Sequence, residues 1–351
     1  MNARERVRFA LEGGEPRPVP CALAFYDVNV RSLAPRGAFR DDSLDIEFVE
    51  YPAPPEEEAL FERFYADPPD TRLGSRGQMA TYAEWDYRPA SKESRNPLAA
   101  ARSLDDLERF ALPTARGEPP VEELTRRVRD LHARGLAAGG NPPHLGGELF
   151  ETAWRLRGLE NFLIDLARRP EWADLLLDRL TVVAKRHAAA LARAGADVLA
   201  IDDDVGMPGG LMISPAMWRR FFKGRLAEIL GAARGESRGV RFLYHSDGAF
   251  DAILDDLVEI GFHAINPLQP EHMDAAAVRR RFGPSLALWG TVGRQTTFSF
   301  ASPDEIREEV RLRVETLGRA GLVLSPAYDI DEPDIPWANI AAFLAAAREF
   351  G

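Results

Sequence analysis

A single cysteine, Cys21, occurs in the 351 residues. No intrachain disulfide is possible, and neither is a cysteine-rich metal module. No run of about 18 apolar residues occurs either, so no membrane-spanning helix is expected. Positive charge falls short of negative charge. The 44 Lys+Arg face 55 Asp+Glu, giving a formal net charge of −11. That balance argues against nucleic acid or an anionic membrane as partner, since both need clustered positive charge. The opening segment, MNARERVRFALEGGEPRP, is charged and has no apolar core, so a secretory signal is not expected. A cytoplasmic protein with no nucleic-acid or membrane partner is the expectation.

What is present is ordinary for a globular chain: 45% hydrophobic and 28% charged residues. From about residue 121 the pattern changes, and from residue 196 a unit repeats five times, in which a short apolar strand leads through a polar loop into a helix. The expected strands cover 136–138, 196–201, 240–244, 263–266, 286–289 and 322–324, with helices at 121–134, 149–168, 171–194, 214–234, 249–260, 274–282, 302–319 and 336–349. The strands are continuous apolar runs, as in a parallel sheet covered on both faces. Earlier strands at 19–26 and near 80 bring the count close to eight. The fold class expected is therefore α/β, a (β/α)8 TIM barrel, with residues 1–351 as one domain. Residues 1–120 are read as an irregular elaboration over the mouth. A doubly wound sheet would place a Gly-rich phosphate loop after the first strand, and FYDVNVRS is not one.

Barrel chemistry sits at the C-terminal ends of the strands. The residues there are Tyr26, Asn141, His144 and Glu148, then Asp202, Asp203 and Asp204, then His245 and Asp247, then Asn266 and Gln269, then Arg294, and finally Tyr328 and Asp329. Three consecutive carboxylates repel one another and call for a cation or donor partner, although Asx turns would also accommodate them. Glu148 is open to a second reading, as an acid at a helix N-terminus. His132, His187 and His263 read as packing histidines. Trp154, Arg155 and Arg157 lie on a helix and need no function.

Several of these residues lie in stretches that resemble the uroporphyrinogen decarboxylase superfamily. They include GELFETAWRLRGLENFLIDLARRPEW (147–172), AGADVLAIDDDVGMPGGLMISPAMWRRFF (194–222) and YHSDGAFDAILDDLVEIGFHAINPLQPEHMD (244–274). That superfamily also holds the cobalamin-dependent methyltransferases, and its fold is a (β/α)8 barrel. True uroporphyrinogen decarboxylases carry an Arg-rich segment after the first strand. Here that region reads CALAFYDVNVRSLAPRG, so the resemblance points to the methyltransferase-like branch. There a zinc ion is held by a His and a Cys of an H-x-C-G segment and by a late ligand, often Cys. The resemblance maps these onto His245, Asp247 and Tyr328. Both positions where that pattern has cysteine lack sulfur here, so any metal site shifts toward nitrogen and oxygen ligands, and toward a hydroxyl, water or carboxylate ligand over a soft thiol.

The resemblance implies a methyltransferase or demethylase. It would move a methyl group between a small methylated substrate and a corrinoid supplied by a partner protein. His245, Asp247, Tyr328 and Glu148 are the expected catalytic set. Asp203, Asp204, Asn266, Gln269, Arg294, Tyr26 and Asn141 are expected to bind substrate. Zinc or another divalent metal would sit at His245, Asp247 and Glu148, or the same groups would work without metal. A decarboxylase acting on a small acid and a non-catalytic binding paralogue stay open as alternatives. The oligomeric state also stays open, a homodimer included.

Overall fold

The computed structural model describes residues 1–23, 44–49, 51, 96–112, 118–144, 146–327 and 335–351. The strand expected near residue 80 and the side chains of Tyr26, Tyr328 and Asp329 lie outside these residues. In chain order the elements are α1 (Ala3–Leu11), β1 (Ile46–Phe48), α2 (Leu104–Arg109), α3 (Val121–Ala133), β2 (Ala137–Gly140), α4 (Phe150–Arg157), α5 (Leu159–Arg168), α6 (Pro170–Ala194) and β3 (Val198–Asp202). A small hairpin follows, β4 (Gly206–Met207) with β5 (Gly210–Leu211), then α7 (Pro215–Trp218), α8 (Gly224–Glu236) and β6 (Arg241–His245). The chain ends with α9 (Leu254–Ile260), β7 (Ala264–Asn266), α10 (Ala275–Phe282), β8 (Ala287–Trp289), α11 (Pro303–Leu317), β9 (Leu322–Val323) and α12 (Trp337–Phe350). No helix among the described residues is long and apolar enough to cross a membrane.

Seven strands form one parallel sheet in the order β1-β2-β3-β6-β7-β8-β9. The expected barrel has eight strands, whereas among the described residues the sheet has seven and does not itself close. Between its two edges stands the short segment 20–22. Leu324 N donates to Pro20 O (2.8 Å), Ala22 N to Leu324 O (2.9 Å) and Asp45 N to Cys21 O (2.9 Å). Residues 1–23 and 44–49 therefore build the wall and floor of the sheet and are not an elaboration over its mouth.

The pleat divides the core in two. Alternate strand residues point to opposite faces. Ile46, Phe48, Ala137, Val198, Ala200, Leu243, Ala264, Ala287, Trp289 and Val323 pack together on the inner face. Leu199, Ile201, Phe242, Tyr244, Ile265, Leu288, Leu322 and Leu324 face the surrounding helices. Small inner residues leave room for large ones. A Cβ on Gly139 would stand 2.6 Å from the Phe48 ring, so this position has to remain glycine. Cys21 belongs to the outer layer, where burial pushes its thiol well above the ordinary range.

Helix α1 covers the N-terminal ends of the strands. Asn2 and Glu5 form its capping box. Arg4 Nε lies 3.0 Å from each carboxylate oxygen of Asp197, just before β3, and Arg6 Nε bonds Asp45 at 2.9 Å, just before β1. Val7, Ala10 and Leu11 insert into the inner core. The helix read over 149–168 is two helices, broken at Gly158, whose φ of 84° lies in the left-handed region. His132 and His187 take up the packing roles expected of them, against Asp197 (2.9 Å) and Tyr51 (2.6 Å).

Leu11 is 2% exposed at this floor. Leu11→Ala should cost about 2–5 kcal/mol of stability in urea unfolding. A loss under about 1 kcal/mol would show that α1 does not seal the inner core.

Candidate active site

The site begins with strand register. Asp202 of β3 pairs with His245 of β6, which pairs with Asn266 of β7. All three end their strands and continue the inward series of Val198/Ala200, Leu243 and Ala264. Asp204, two residues beyond Asp202, joins them. His245 Nε2 stands 4.0 Å from Asp202 Oδ1 and 3.9 Å from Asp204 Oδ1. Its Nδ1 meets Asn266 Oδ1 at 2.6 Å. An amide oxygen can only accept, so in this arrangement the ring proton lies on Nδ1. Burial lowers the pKa of His245, with the Asp204 charge pulling the other way. His144 Nε2 approaches Asp202 Oδ2 at 3.8 Å and Asn141 Oδ1 at 2.6 Å. Burial, with the charges of His245 and Arg155 adding to it, lowers the His144 pKa to about 3.

A second set of carboxylates supports the first. Where β2 stops at Gly140, the loop to α4 continues the ladder with a side chain. Glu148 N donates to Asp202 O (2.7 Å), while Glu148 Oε2 accepts from Asp202 N (2.6 Å). Asn141 Nδ2 donates to Glu148 Oε1 (3.3 Å) and Ala200 O (3.1 Å). A Cβ on Gly147 would stand 2.9 Å from Asp202 O, so the loop lies directly on the strand end. Asp203 points outward. Its Oδ1 accepts from the backbone N of Leu149 (3.3 Å), Phe150 (2.6 Å) and Glu151 (3.3 Å) at the start of α4. This is a helix cap, with the carboxylate at the positive end of the dipole. Burial raises the carboxyl of Glu148 well above its ordinary range and that of Asp203 to about 7. Glu151, bonded by Arg155 (3.1 Å), is raised to about 8, again chiefly by burial.

The sequence-expected residues thus separate into groups. His245, Asp204 and Asn266 converge. Asn141 and Glu148 hold the end of β3 beside them. Asp203, expected to bind substrate, is turned away by the pleat and engaged as the cap of α4. Asp247 contributes its backbone N–H to Asp204 Oδ1 (2.6 Å). Gln269 Oε1 accepts from Gly248 N (2.6 Å), steadying the turn after β6. Arg294 opens the wide helical turn Arg294–Phe298 beyond β8. Tyr26 and Tyr328 fall outside the described residues.

Among the described residues, the metal-capable group is Asp202, Asp204 and His245, whose ligand atoms all lie within 4.8 Å of one another. It shares only His245 with the expected trio of His245, Asp247 and Glu148. The Glu148 carboxylate is engaged by the backbone of β3, and Asp247 meets Asp204 through its N–H. In the sequence Asp202 stands out only as one of three adjacent carboxylates, and Glu151 not at all. Extending the inward series Val198, Ala200 by one step would have selected Asp202 and then Asp204 over Asp203.

Comparison with known proteins agrees with this architecture. A family model described as uroporphyrinogen decarboxylase (URO-D) matches residues 95–350. The methylcobamide:CoM methyltransferase MtaA of Methanosarcina barkeri is 28% identical over 281 residues, which is 79% of this chain and 76% of that protein. A uroporphyrinogen decarboxylase of Coxiella burnetii is 26% identical over 276 residues, covering 73% and 69%. The solved structure of a methyltransferase from Methanosarcina mazei superposes with a TM-score of 0.66 at 20% identity, covering 100% of this chain and 99% of that one. At that identity the likeness shows the fold.

Asp203→Ala should cost about 0.5–2 kcal/mol in urea unfolding through loss of the α4 cap; no loss would place the cap elsewhere. Glu151 gives a pH test. The unfolded chain releases the Glu151 proton near the ordinary value of 4.5, and the folded chain keeps it to about 8. Between these values the folded state binds more protons, so stability falls as pH rises. Glu151→Gln should flatten that fall between about pH 5 and about pH 8. Equal slopes in parent and variant would show that Glu151 is ionised in the fold.

Proposed function

The chain belongs to the uroporphyrinogen decarboxylase family, and from that premise we propose that it is a methyltransferase or demethylase. It moves a methyl group between a small methylated substrate and a corrinoid carried by a partner protein. The observation that carries the reading is the convergence of His245 with Asp202 and Asp204 at the C-terminal end of the sheet. Relatives named as methylcobamide:CoM methyltransferases support the choice of reaction.

Methyl transfer to a reduced corrinoid breaks the bond between the methyl carbon and an oxygen or nitrogen. The electron pair of that bond stays with the departing atom, which leaves readily only if it meets a proton or a cation. The residues present fit a divalent ion. Around one ion at about 2.0–2.2 Å, ligand atoms stand roughly 3–4.4 Å apart. The three groups here all lie within 4.8 Å of one another, with His245 Nε2 3.9 Å from Asp204 Oδ1 and 4.0 Å from Asp202 Oδ1. Asp202, Asp204 and His245 would hold the ion, and when bound it supplies Lewis acidity to the leaving atom. Two of the three ligand groups are oxygen donors, so the set prefers a harder cation than a thiolate site does. Asn141 and Glu148 hold the end of β3 so that Asp202 keeps its place.

The test uses the purified chain, a reduced corrinoid and a panel of methyl ethers and methylamines, followed by the absorbance of the methylated corrinoid. At least one substrate should yield it. His245→Ala and Asp202→Asn should each slow it by roughly 10²-fold or more, the scale of a positioned acid or metal ligand. No methylated corrinoid across the panel would reject the reading. Carbon dioxide release from a small acid in its place would assign the decarboxylase alternative.

A further inference from the structure

We propose that Asn266 is a positioning residue: its amide oxygen fixes His245 in the Nδ1–H tautomer and so turns an unprotonated Nε2 toward the Asp202 and Asp204 carboxylates. This rests on the reading of those three residues as cation ligands. The geometry has two parts. The first is the contact itself. Register places Asn266 beside His245, the inward pleat aims both side chains the same way, and Oδ1 and Nδ1 meet at 2.6 Å. The backbone reinforces it, because Ser246 N donates to Asn266 O at 3.0 Å and ties the end of β7 to the residue after His245.

The second part is the orientation of the amide. An Asn side chain turned over would present its NH₂ to the imidazole and force the opposite tautomer. The amide has its oxygen toward the ring and its nitrogen toward Gly290. A Cβ built on Gly290 would stand 3.0 Å from Asn266 Nδ2 and 3.0 Å from the carbonyl oxygen of Pro326. The amide nitrogen thus stands beside Gly290, while Oδ1 faces the ring at 2.6 Å.

The contest makes the role testable. Two carboxylates near 4 Å from Nε2 attract a proton to that atom. A proton there would occupy the lone pair a cation needs. Asn266 draws it to the far side of the ring. Groups that orient a metal-binding histidine in this way typically contribute 10–100-fold in metal affinity.

The tautomer is read by nitrogen-15 NMR of the histidine side chains in the metal-free chain, with His245→Gln used to assign the signal. Zinc binding is read by calorimetry. The parent should show His245 as Nδ1–H. Asn266→Ala should move the proton to Nε2 and weaken zinc binding by about 10–100-fold. Asn266→Asp, which keeps an acceptor facing Nδ1, should restore both. An Nε2–H signal in the parent overturns the proposal without any variant, and so does an unchanged tautomer in Asn266→Ala. If the tautomer moves as stated but the parent binds no zinc, the positioning role stands and the cation reading of the site fails.

Discussion

Three parallel strands, β3, β6 and β7, end in one register, and everything at the mouth of this sheet depends on that coincidence. Asp202, His245 and Asn266 share a level because their backbones do. The pleat then sends all three side chains inward, on the same parity as the alanines and leucine beneath them. No long side chain has to reach across the mouth. The carboxylates and the imidazole sit on rigid strand ends, which hold geometry better than loops. The same parity places Asp203 on the other face, where it caps α4 with one oxygen shared among three backbone donors. Adjacent identical residues thus do different work. One pair faces His245 and the residue between them secures a helix.

Burying so many carboxylates is costly, and the structure meets the cost with backbone donors. Glu148 replaces the ladder partner that β2 no longer provides, and Asn141 steadies it. Gln269 holds the turn behind Asp247, whose N–H in turn reaches Asp204. At the opposite end α1 seals the inner core with Val7, Ala10 and Leu11 and bolts onto Asp197 and Asp45. Rigidity at the floor and polar satisfaction at the rim serve one purpose, which is to keep the strand ends level.

Much of this was legible in the sequence. The strand–helix units from residue 196 onward are present, and Asp202, His245 and Asn266 end their strands at one level. The single cysteine also carried real information. Cys21 sits in the outer layer, so a site at His245 has only nitrogen and oxygen ligands available. Other features were hidden for physical reasons. β1 is three residues, Ile46–Phe48, too short to show a pattern amid acidic neighbours. α1 is charged along much of its length and seals the core with only three buried residues, Val7, Ala10 and Leu11. The division between Asp202, Asp203 and Asp204 is one of parity, visible only once the inward series of β3 is fixed. The roles of Glu148 and Asp247 depend on partners 54 and 43 residues away in the chain, which no local pattern displays.

The central claim is that Asp202, Asp204 and His245 form the cation-binding core of this site. Anomalous diffraction from crystals of the full chain soaked in zinc tests it most directly. The account predicts one strong peak about 2.0–2.2 Å from His245 Nε2 and from an oxygen of each aspartate. A peak bound through Asp247 and Glu148, or no peak at His245 while zinc occupies other positions, would contradict it.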